Sequence, residues 1–308
     1  MNNPLVSVII PNYNHARFLD ERIQSVLNQT YQNFELIILD DKSTDNSVEI
    51  INNYKNNPHV SQIAVNENNS GSTFKQWHKG FELAKGEIIW IAESDDSCDK
   101  ELLETLVKLY TENNAVLVFC RSCKYETDGR KSIFLHQDYL LGDIIMSGRE
   151  FVSDYMVQKN AVANASSAIF SRTIAMSLDR QYMTMRGEGD WLFWIELMEC
   201  GIICYSDKEM NHFRFHNSNT TNTLAKKGIG AMEHKKVFDY IVRNNLINSN
   251  DIWKEKLNYI LSLLYFQFES KKIKREVLQI WDRYRLFRIY IFLANLKEDL
   301  LFFLNNIR

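Results

Sequence analysis

The chain has 308 residues, of which 45% are hydrophobic and 24% charged, and its formal net charge is −3. This is the composition of a globular protein with one large core and a smaller second unit, and three prolines are too few for long disordered tracts. The N-terminal residues do not look like a secretory signal, no uncharged apolar run reaches membrane-spanning length, and the five cysteines are an odd number, which together predict a cytoplasmic protein with reduced thiols.

The first 112 residues alternate between strand and helix patterns. Short β-branched segments predict strands, and apolar residues three or four positions apart predict helices. The predicted strands are residues 5–10, 34–39, 61–66 and 88–92; the predicted helices begin at Asn14 (as N-cap), Ser43 and Gly71, and a fourth spans 99–112. This alternation indicates crossover units and a parallel sheet.

Acidic residues follow two of these strands. Asp40 and Asp41 end the second strand, and an acidic group, Glu93, Asp95 and Asp96, follows the fourth. Because the carboxyl ends of parallel strands lie at one edge of a sheet, where open α/β folds bind ligands, we expect these carboxylates to converge. Three carboxylates so close together favour a hard divalent cation such as Mg²⁺ or Mn²⁺. A solvated acidic turn is the alternative interpretation.

The rest of the chain is less regular and then becomes helical. The predicted elements are a hairpin at 115–136 with a type I′ turn at 128–129, a helix at 148–158, a strand at 165–170, a helix opened by Asp190, and strands at 202–205 and 212–216. Strand patterns end near residue 220. We therefore predict a mixed, mainly parallel α/β domain at residues 1–222, with halves at 1–112 and 113–222, and a helical region at 223–308.

Six segments of the chain form a set. They are residues 6–14, 25–30, 35–41 with 43–45, 84–87 with 94–96, 189–194 and 213–216. Together, in this order, they resemble the inverting nucleotide-sugar glycosyltransferases of family 2, which have the Rossmann-like GT-A fold. The resemblance implies transfer of a sugar from a nucleoside diphosphate, usually UDP, to an acceptor hydroxyl with inversion. It also implies a role in the synthesis of a cell-surface glycan (capsule, lipopolysaccharide or exopolysaccharide).

The resemblance implies that the ends of the first two strands bind the nucleotide. Asp41 would accept a hydrogen bond from the uracil N–H, and Tyr13 would lie along the base. Pro11 and Asn12 belong to the same loop. Helix capping by Asp41 and simple packing by Tyr13 are the alternatives.

The acidic motif implies a metal and diphosphate site. The family pattern begins with Asp, but here its first position is Glu93, which keeps the charge and lengthens the reach. Asp95 aligns with the usual metal ligand, Asp96 is a second candidate, and Ser94, between Glu93 and Asp95, would belong to the donor site. The implied cofactor is a divalent ion, Mn²⁺ or Mg²⁺, which would act as a Lewis acid on the leaving diphosphate.

Four further residues are implied to lie near the diphosphate. His216 matches a histidine that completes the metal shell or touches the diphosphate in some relatives, and Arg214 could offer a charge-assisted contact. Gly71 and Lys75 begin a helix near the same edge and would approach the phosphates. Polar positions on a strand edge, or a solvent-facing lysine, are the alternatives.

The implied catalytic base is Asp190, which precedes Trp191 as the family's base precedes a Trp. A plain N-cap is the alternative. The family has Glu directly before the base, whereas here Gly189 takes that place and Glu188 lies one residue further back. Glu188 and Trp191 would then face the acceptor, which would be a glycan or a lipid-linked sugar. A catalytically silent relative that binds only nucleotide or a partner transferase would also fit the changes at Glu93 and Gly189.

The C-terminal region carries basic and apolar residues in succession. Residues 271–288 contain seven Lys or Arg, and an aromatic and aliphatic stretch continues to residue 304. This stretch is too charged to span a bilayer but could lie on one, at the inner face of the membrane. A helical appendage packed on the catalytic domain, or a homodimer interface, is the alternative interpretation. Nucleic acid is not expected as a partner, because the basic residues lie among aliphatic ones.

Overall fold

The computed structural model describes residues 3–126, 131–132, 137–215, 220–283, 286 and 289. The chain divides into two compact units, the N-terminal unit (residues 1–219) and the C-terminal unit (residues 220–308). Within the described residues, no helix is both long enough and apolar enough to cross a membrane.

The N-terminal unit alternates strands and helices. Its strands are Val6–Asn12 (β1), Phe34–Asp40 (β2), Val60–Val65 (β3), Ile88–Ile91 (β4), Ser97–Cys98 (β5), Ala115–Glu126 (β6), Lys131–Ser132 (β7), Ile144–Ser147 (β8), Ala168–Ser171 (β9) and Ile202–Phe215 (β10). Its helices are Ala16–Leu27 (α1), Ser47–Asn52 (α2), Thr73–Leu83 (α3), Leu102–Asn113 (α4), Gly148–Phe151 (α5), Arg172–Ser177 (α6) and Gly189–Met198 (α7). A π-helix at Val152–Met156 and 3₁₀ turns at Ala165–Ser167 and Arg180–Thr184 complete the described elements.

These strands form a single sheet in the order β3-β2-β1-β4-β9-β6-β10-β5, with β7 on β6 and β8 on β10. β1 runs parallel to β2 and β4, β2 runs parallel to β3, and β6 runs parallel to β10. β9 is inserted antiparallel between β4 and β6. The longest pairings are parallel, so the predicted mixed, mainly parallel sheet flanked by helices is confirmed.

Burial explains why the central strands read as unbroken apolar runs. Every residue of β1, β2 and β4 is buried, because helices cover both faces of this part of the sheet. Asn12 pairs with Asp40 at the ends of β1 and β2, and Ile9 pairs with Ile91 at the end of β4. The loops that follow these three strands therefore start side by side at one edge.

Three local predictions were wrong in detail. Asn14 does not cap α1: its backbone is left-handed (φ 57°), its side-chain oxygen accepts the N–H of Thr44, and Asp45 instead accepts the N–H of Ala16. For the same reason α2 starts at Ser47, because residues 43–45 are bonded to the loop after β1. The strands predicted at 202–205 and 212–216 are one strand, β10. The polar residues between them also belong to this strand, and its pairing with β6 shifts in register there.

The C-terminal unit consists of helices in its described part, which agrees with the loss of strand patterns near residue 220. They are Thr220–Lys226 (α8), Ile229–Arg243 (α9), Ser249–Tyr265 (α10) and Lys271–Trp281 (α11). Trp281 is buried, and its ring packs against the rings of His234 and Tyr259. Its indole N–H donates to the carbonyl of Ala231 at 2.8 Å. This aromatic contact joins α9, α10 and α11 into one small core.

Candidate active site

Asp41 is the most heavily bonded of the predicted site residues. It is buried, and its Oδ1 accepts hydrogen bonds from Asn66 Nδ2 (2.6 Å), the Ser70 N–H (2.8 Å) and Gln76 Nε2 (2.9 Å), while its Oδ2 accepts the Ser70 hydroxyl (2.7 Å). Donors from the loop after β3 and from α3 therefore fix the plane of this carboxylate. They also join three segments at the end of β2.

The loop after β1 carries the aromatic ring of Tyr13 and lies next to the end of β2, where Asp41 is. Tyr13 is 47% exposed, whereas Pro11 and Asn12 are buried. The Asn12 side-chain amide donates to Asp40 Oδ2 (2.8 Å) and to the Ser43 hydroxyl (3.2 Å), so it braces the loop. Of the three loop residues predicted to bind the nucleotide, Tyr13 is therefore the exposed one.

Gly71 and Lys75 stand at the start of α3. Gly71 is exposed with φ +70°, a conformation that is strained for residues with a side chain, and no atom of the described residues lies within 4 Å of a Cβ placed there. Lys75 is exposed and donates its ammonium group to the Ser70 carbonyl (3.2 Å). Both residues therefore lie between Ser70 and Gln76, two of the residues that donate hydrogen bonds to Asp41.

The acidic motif turns back directly after β4 and is held from several sides. Glu93 accepts the indole N–H of Trp77 (2.8 Å), and Asp96 accepts the Ser166 hydroxyl (2.7 Å) and the Arg214 backbone N–H (3.0 Å). Burial first, and then the negative charge of Asp95, raise the pKa of Glu93 to about 8. The same two causes raise the pKa of Asp96 above its ordinary value. These raised pKa values show that ionising the three neighbouring carboxyls together is unfavourable, and a bound cation would favour their ionised forms.

Arg22 supplies a positive charge behind this motif. Its side chain is fully buried and donates Nε–H to the Glu93 carbonyl at 3.0 Å. Ser94 is also buried, and its hydroxyl pairs with His15 Nδ1 at 2.9 Å. Both contacts anchor the loop to α1 and its N-terminal turn.

Arg214 lies under the same loop. Its Nε–H donates to the Asp95 carbonyl (2.9 Å), one terminal nitrogen pairs with Glu21 (2.7 Å), and the guanidinium lies over the ring of Phe18. The Arg214 side chain therefore links the backbone of Asp95 to two residues of α1, Phe18 and Glu21. His216, the other residue predicted on this strand, lies outside the described residues.

The donor set at the acidic motif fits a divalent ion only in part. Both oxygens of Asp96 accept hydrogen bonds from the fold, and the side chain of Asp95 is partly buried. Among the described residues, no three His, Cys, Asp or Glu side chains are grouped to hold a metal by themselves. The residues present therefore fit an ion that takes further oxygen ligands from a bound diphosphate.

Asp190 lies in the first turn of α7. Its Oδ2 accepts the side-chain amide of Asn160 (2.9 Å), and its Oδ1 accepts the N–H of Trp191 (2.8 Å). Trp191 itself is only 2% exposed and donates its indole N–H to the Met156 carbonyl (3.0 Å), so it packs the helix into the core. Glu188, in the N-cap position, is partly exposed.

Gly189 has a clear packing reason. A Cβ atom there would lie 2.5 Å from Cε2 of Phe74 and 2.6 Å from the carbonyl oxygen of Tyr182. The residue before Asp190 is therefore a glycine because α3 and the 3₁₀ turn before α7 approach its backbone closely. No side chain, and hence no glutamate, fits at this position without a shift.

Helix α3 connects all three parts of the site. Within its first two turns, Gln76 donates to Asp41, Trp77 donates to Glu93, and Phe74 packs on Gly189 next to Asp190. One rigid element thus fixes the segments after β2 and β4 and the start of α7 relative to each other. This convergence is what the sequence pattern predicted for Asp41 and the acidic motif, and it extends to Asp190.

Several residues of this arrangement carry no recognisable signal in the sequence. Gln76 and Trp77 look like ordinary helix positions, Ser166 precedes a short strand, and Asn160 lies in a loop. The one hint in the sequence is that Asn164, Ser166 and Ser167 precede an apolar strand. Its meaning depends on the antiparallel pairing of β9 with β4, which brings Ser166 opposite the acidic motif.

Comparison with known proteins is consistent with this geometry. Residues 7–176 match the family model described as glycosyl transferase family 2. The chain belongs to glycosyl transferase family 2. Among similar proteins, the glycosyltransferase GlyG of Streptococcus pneumoniae is 35% identical over 142 residues, which is 46% of this chain and 47% of GlyG. The chain thus spans about half the length of this relative.

A longer alignment and a solved structure extend the similarity. TuaG of Bacillus subtilis, a glycosyltransferase named for teichuronic acid biosynthesis, is 27% identical over 224 residues, covering 72% of this chain and 84% of TuaG. The crystal structure of Staphylococcus aureus TarS 1–349 in complex with UDP superposes with a TM-score of 0.60 at 17% identity, covering 91% of this chain and 71% of TarS. At that identity the superposition shows that the fold is shared, and the fold is that of the family 2 glycosyltransferases.

Proposed function

We propose that this family 2 protein transfers a sugar from a nucleoside diphosphate donor, a UDP-sugar, to an acceptor hydroxyl with inversion of the anomeric centre. The observation that carries the proposal is the convergence at α3, where Gln76, Trp77 and Phe74 tie the Asp41, Glu93 and Asp190 segments together. Inverting transfer needs a nucleotide site, a diphosphate site and a base within one pocket, and these three segments supply them.

In this proposal the nucleotide lies at the ends of β1 and β2. The exposed ring of Tyr13 offers a surface for the base, and Asp41 offers an oriented carboxylate for its N–H donor. Pro11 and Asn12 shape the loop, and Gly71 and Lys75 approach the phosphates. The UDP in the TarS structure supports the choice of uridine as the nucleoside.

The diphosphate would lie against the acidic motif. Asp95 would hold a divalent ion, Mn²⁺ or Mg²⁺, and His216 would be a further ligand. Asp96 and Arg214 hold the surrounding loop through their hydrogen bonds. When bound, this ion supplies Lewis-acid stabilisation of the leaving diphosphate. Glu93 and Ser94 keep the loop in place through Trp77 and His15.

Asp190 would act as the general base. It accepts the proton of the acceptor hydroxyl while that oxygen forms a bond to the anomeric carbon, and the bond from this carbon to the diphosphate breaks on the opposite face. The products are the glycoside, the nucleoside diphosphate and protonated Asp190, which returns its proton to water. Glu188, partly exposed beside the base, would face the acceptor, and Trp191 would support this side from the core.

The acceptor is proposed to be a growing cell-surface glycan, free or lipid-linked. The similarity to TuaG supports this class, since that protein is named for the synthesis of a wall polysaccharide.

The test is calorimetric titration of UDP with and without Mn²⁺, combined with measurement of UDP release from UDP-sugars in the presence of candidate acceptors. We expect UDP binding to depend on Mn²⁺ and to be lost in Asp95→Ala. Asp190→Asn should bind UDP like the wild type and lose transfer by about 100-fold or more. Asp154→Asn, at an exposed carboxylate, is the control. Transfer at the wild-type rate by Asp190→Asn would exclude Asp190 as the base.

A further inference from the structure

We infer that Asn160 is a positioning residue for the base, an inference that rests on the proposed role of Asp190. The Asn160 Nδ2 donates to Asp190 Oδ2 at 2.9 Å, and the backbone N–H of Trp191 donates to Asp190 Oδ1 at 2.8 Å. Each carboxylate oxygen therefore has a donor on a different side, which fixes the plane of the carboxylate. A base held in one plane presents a defined lone pair to the acceptor hydroxyl.

The side-chain amide of Asn160 has its orientation set by a second bond. Its Oδ1 accepts the backbone N–H of Val162 at 3.1 Å, a turn that asparagine commonly makes. Because the oxygen is used in this turn, the NH₂ end must face Asp190, where only a donor is useful to an ionised carboxylate. The hydrogen-bond network thus defines which end of the amide meets the base.

The loop that carries Asn160 is anchored on both sides. The fully buried Gln137 donates Nε2–H to the Ala161 carbonyl (3.0 Å) and accepts the N–H of Ser122 in β6 (2.9 Å). On the other side, the Trp191 indole donates to the carbonyl of Met156, the last residue of the π-helix. The loop is therefore tied both to the sheet and to α7, so Asn160 cannot drift away from Asp190.

The need for such a residue follows from Gly189. In the family resemblance, a glutamate stands directly before the base, where it can orient the base or the acceptor. Here Phe74 and Tyr182 leave no room for a side chain at that position. Asn160 reaches Asp190 from a separate loop and supplies a neutral donor in place of the missing carboxylate.

Two variants of Asn160 separate this role from support of the loop. Asn160→Asp keeps an oxygen for the Val162 N–H but replaces the donor that faces Asp190 with a second carboxylate. Asn160→Ala removes both bonds. Gln158→Glu adds the same charge at an exposed position two residues away and serves as the matched control.

The first readout does not depend on knowing the donor sugar. The carboxyl carbon of Asp190, labelled with ¹³C and assigned by its absence in Asp190→Asn, is titrated by NMR. We expect its midpoint to rise by about one pH unit in Asn160→Asp and by less in Asn160→Ala, because a like charge or a lost donor disfavours the ionised form. The control should leave it nearly unchanged.

The second readout is UDP release from a panel of UDP-sugars with Mn²⁺. We expect kcat to fall on the order of 10- to 100-fold in both Asn160 variants, KM for the donor to stay near the wild-type value, and the acidic limb of the pH profile to move to higher pH. An unchanged midpoint and an unchanged kcat in both variants, with Asp190→Asn inactive, would overturn the inference while the proposed function stands. Wild-type transfer by Asp190→Asn would overturn the proposed base, and with it the positioning role.

Discussion

Glu196 on α7 is a buried carboxyl group that the fold holds in its neutral form. It is 5% exposed, and its Oε2 has no hydrogen-bond partner among the described residues. Burial first, and then the negative charges of Asp179 and Glu199, raise its pKa to about 8 from an ordinary value of 4.5. Between these two pH values the folded chain keeps a proton that the unfolded chain releases. The free energy of unfolding therefore decreases as the pH rises from about 4.5 to about 8.

We expect Glu196→Gln to stabilise the protein at pH 8 and to have little effect at pH 5, because glutamine replaces the protonated form and cannot ionise. The gain at pH 8 should be on the order of 2 kcal/mol, because a pKa that differs by one between the folded and unfolded chains corresponds to about 1.4 kcal/mol and relaxation of the structure reduces the full value. Thermal melts at both pH values measure it. Glu150→Gln, at an exposed carboxylate, should not show this pH dependence. Equal effects of Glu196→Gln at pH 5 and pH 8 would contradict the assignment.

Helix α3 is the element that determines the geometry of the site. Its N-terminal turns contact the Asp41 loop, the acidic motif and the start of α7 through three neighbouring side chains, Phe74, Gln76 and Trp77. Trp77 also packs against Phe193 and Trp194 of α7, so the contact between the two helices is aromatic and close. A change in the spacing of α3 and α7 should therefore disturb both stability and activity.

Gly189→Ala tests this spacing. The added Cβ would lie within 2.6 Å of a backbone oxygen that cannot move by a rotamer change, and within 2.5 Å of the Phe74 ring. We expect a loss of roughly 1–3 kcal/mol in unfolding free energy, as for overpacked cores, measured by urea denaturation. Phe74→Leu in the same background should restore only part of it, because the carbonyl of Tyr182 remains. Wild-type stability of the single variant would show that α3 and α7 can separate without cost.

The sequence predicted those parts of the site that depend on local pattern. Buried runs followed by Asp41 and by the acidic motif indicated strand ends, and the parallel alternation indicated that these ends meet. The partners of the carboxylates were not predictable in this way, because Ser166 reaches the acidic motif through an antiparallel strand inserted late in the chain. Asn14 failed as a helix cap for a similar reason, since the loop after β2 bonds to it. Long-range pairing leaves no periodicity in the sequence.

At the scale of the whole molecule, charge is unevenly divided between the two ends of the chain. Residues 1–220 contain 20 Lys or Arg and 30 Asp or Glu, whereas residues 221–308 contain 16 and 9. In the C-terminal unit, Lys271, Lys272 and Arg275 are exposed on α11, and Tyr265, which is 83% exposed, and Phe266 lie just before it. Exposed aromatic rings beside basic residues are typical of surfaces that meet anionic lipid headgroups.

The sequence prediction of membrane contact through residues 271–304 covers described residues at 271–283, 286 and 289, and it stays a prediction. We expect the full chain to float with vesicles that contain phosphatidylglycerol and to bind phosphatidylcholine vesicles weakly. The triple variant Lys271→Gln, Lys272→Gln and Arg275→Gln should weaken binding by roughly 100-fold, since each basic group near an anionic surface contributes about 1 kcal/mol. Binding should also weaken as salt is added.

A second triple variant shows whether position or total charge matters. Lys236, Arg243 and Lys254 are exposed elsewhere in the C-terminal unit, and their change to Gln removes the same charge. If both triple variants lose affinity for the vesicles equally, binding depends on the net charge of the chain, and α11 is not a specific membrane-binding surface. If only the α11 variant loses it, this helix faces the lipid, and a lipid-linked acceptor becomes the first class to test in the transfer assay. Failure of the wild-type chain to bind either vesicle would exclude membrane contact and leave packing or self-association to explain the exposed residues.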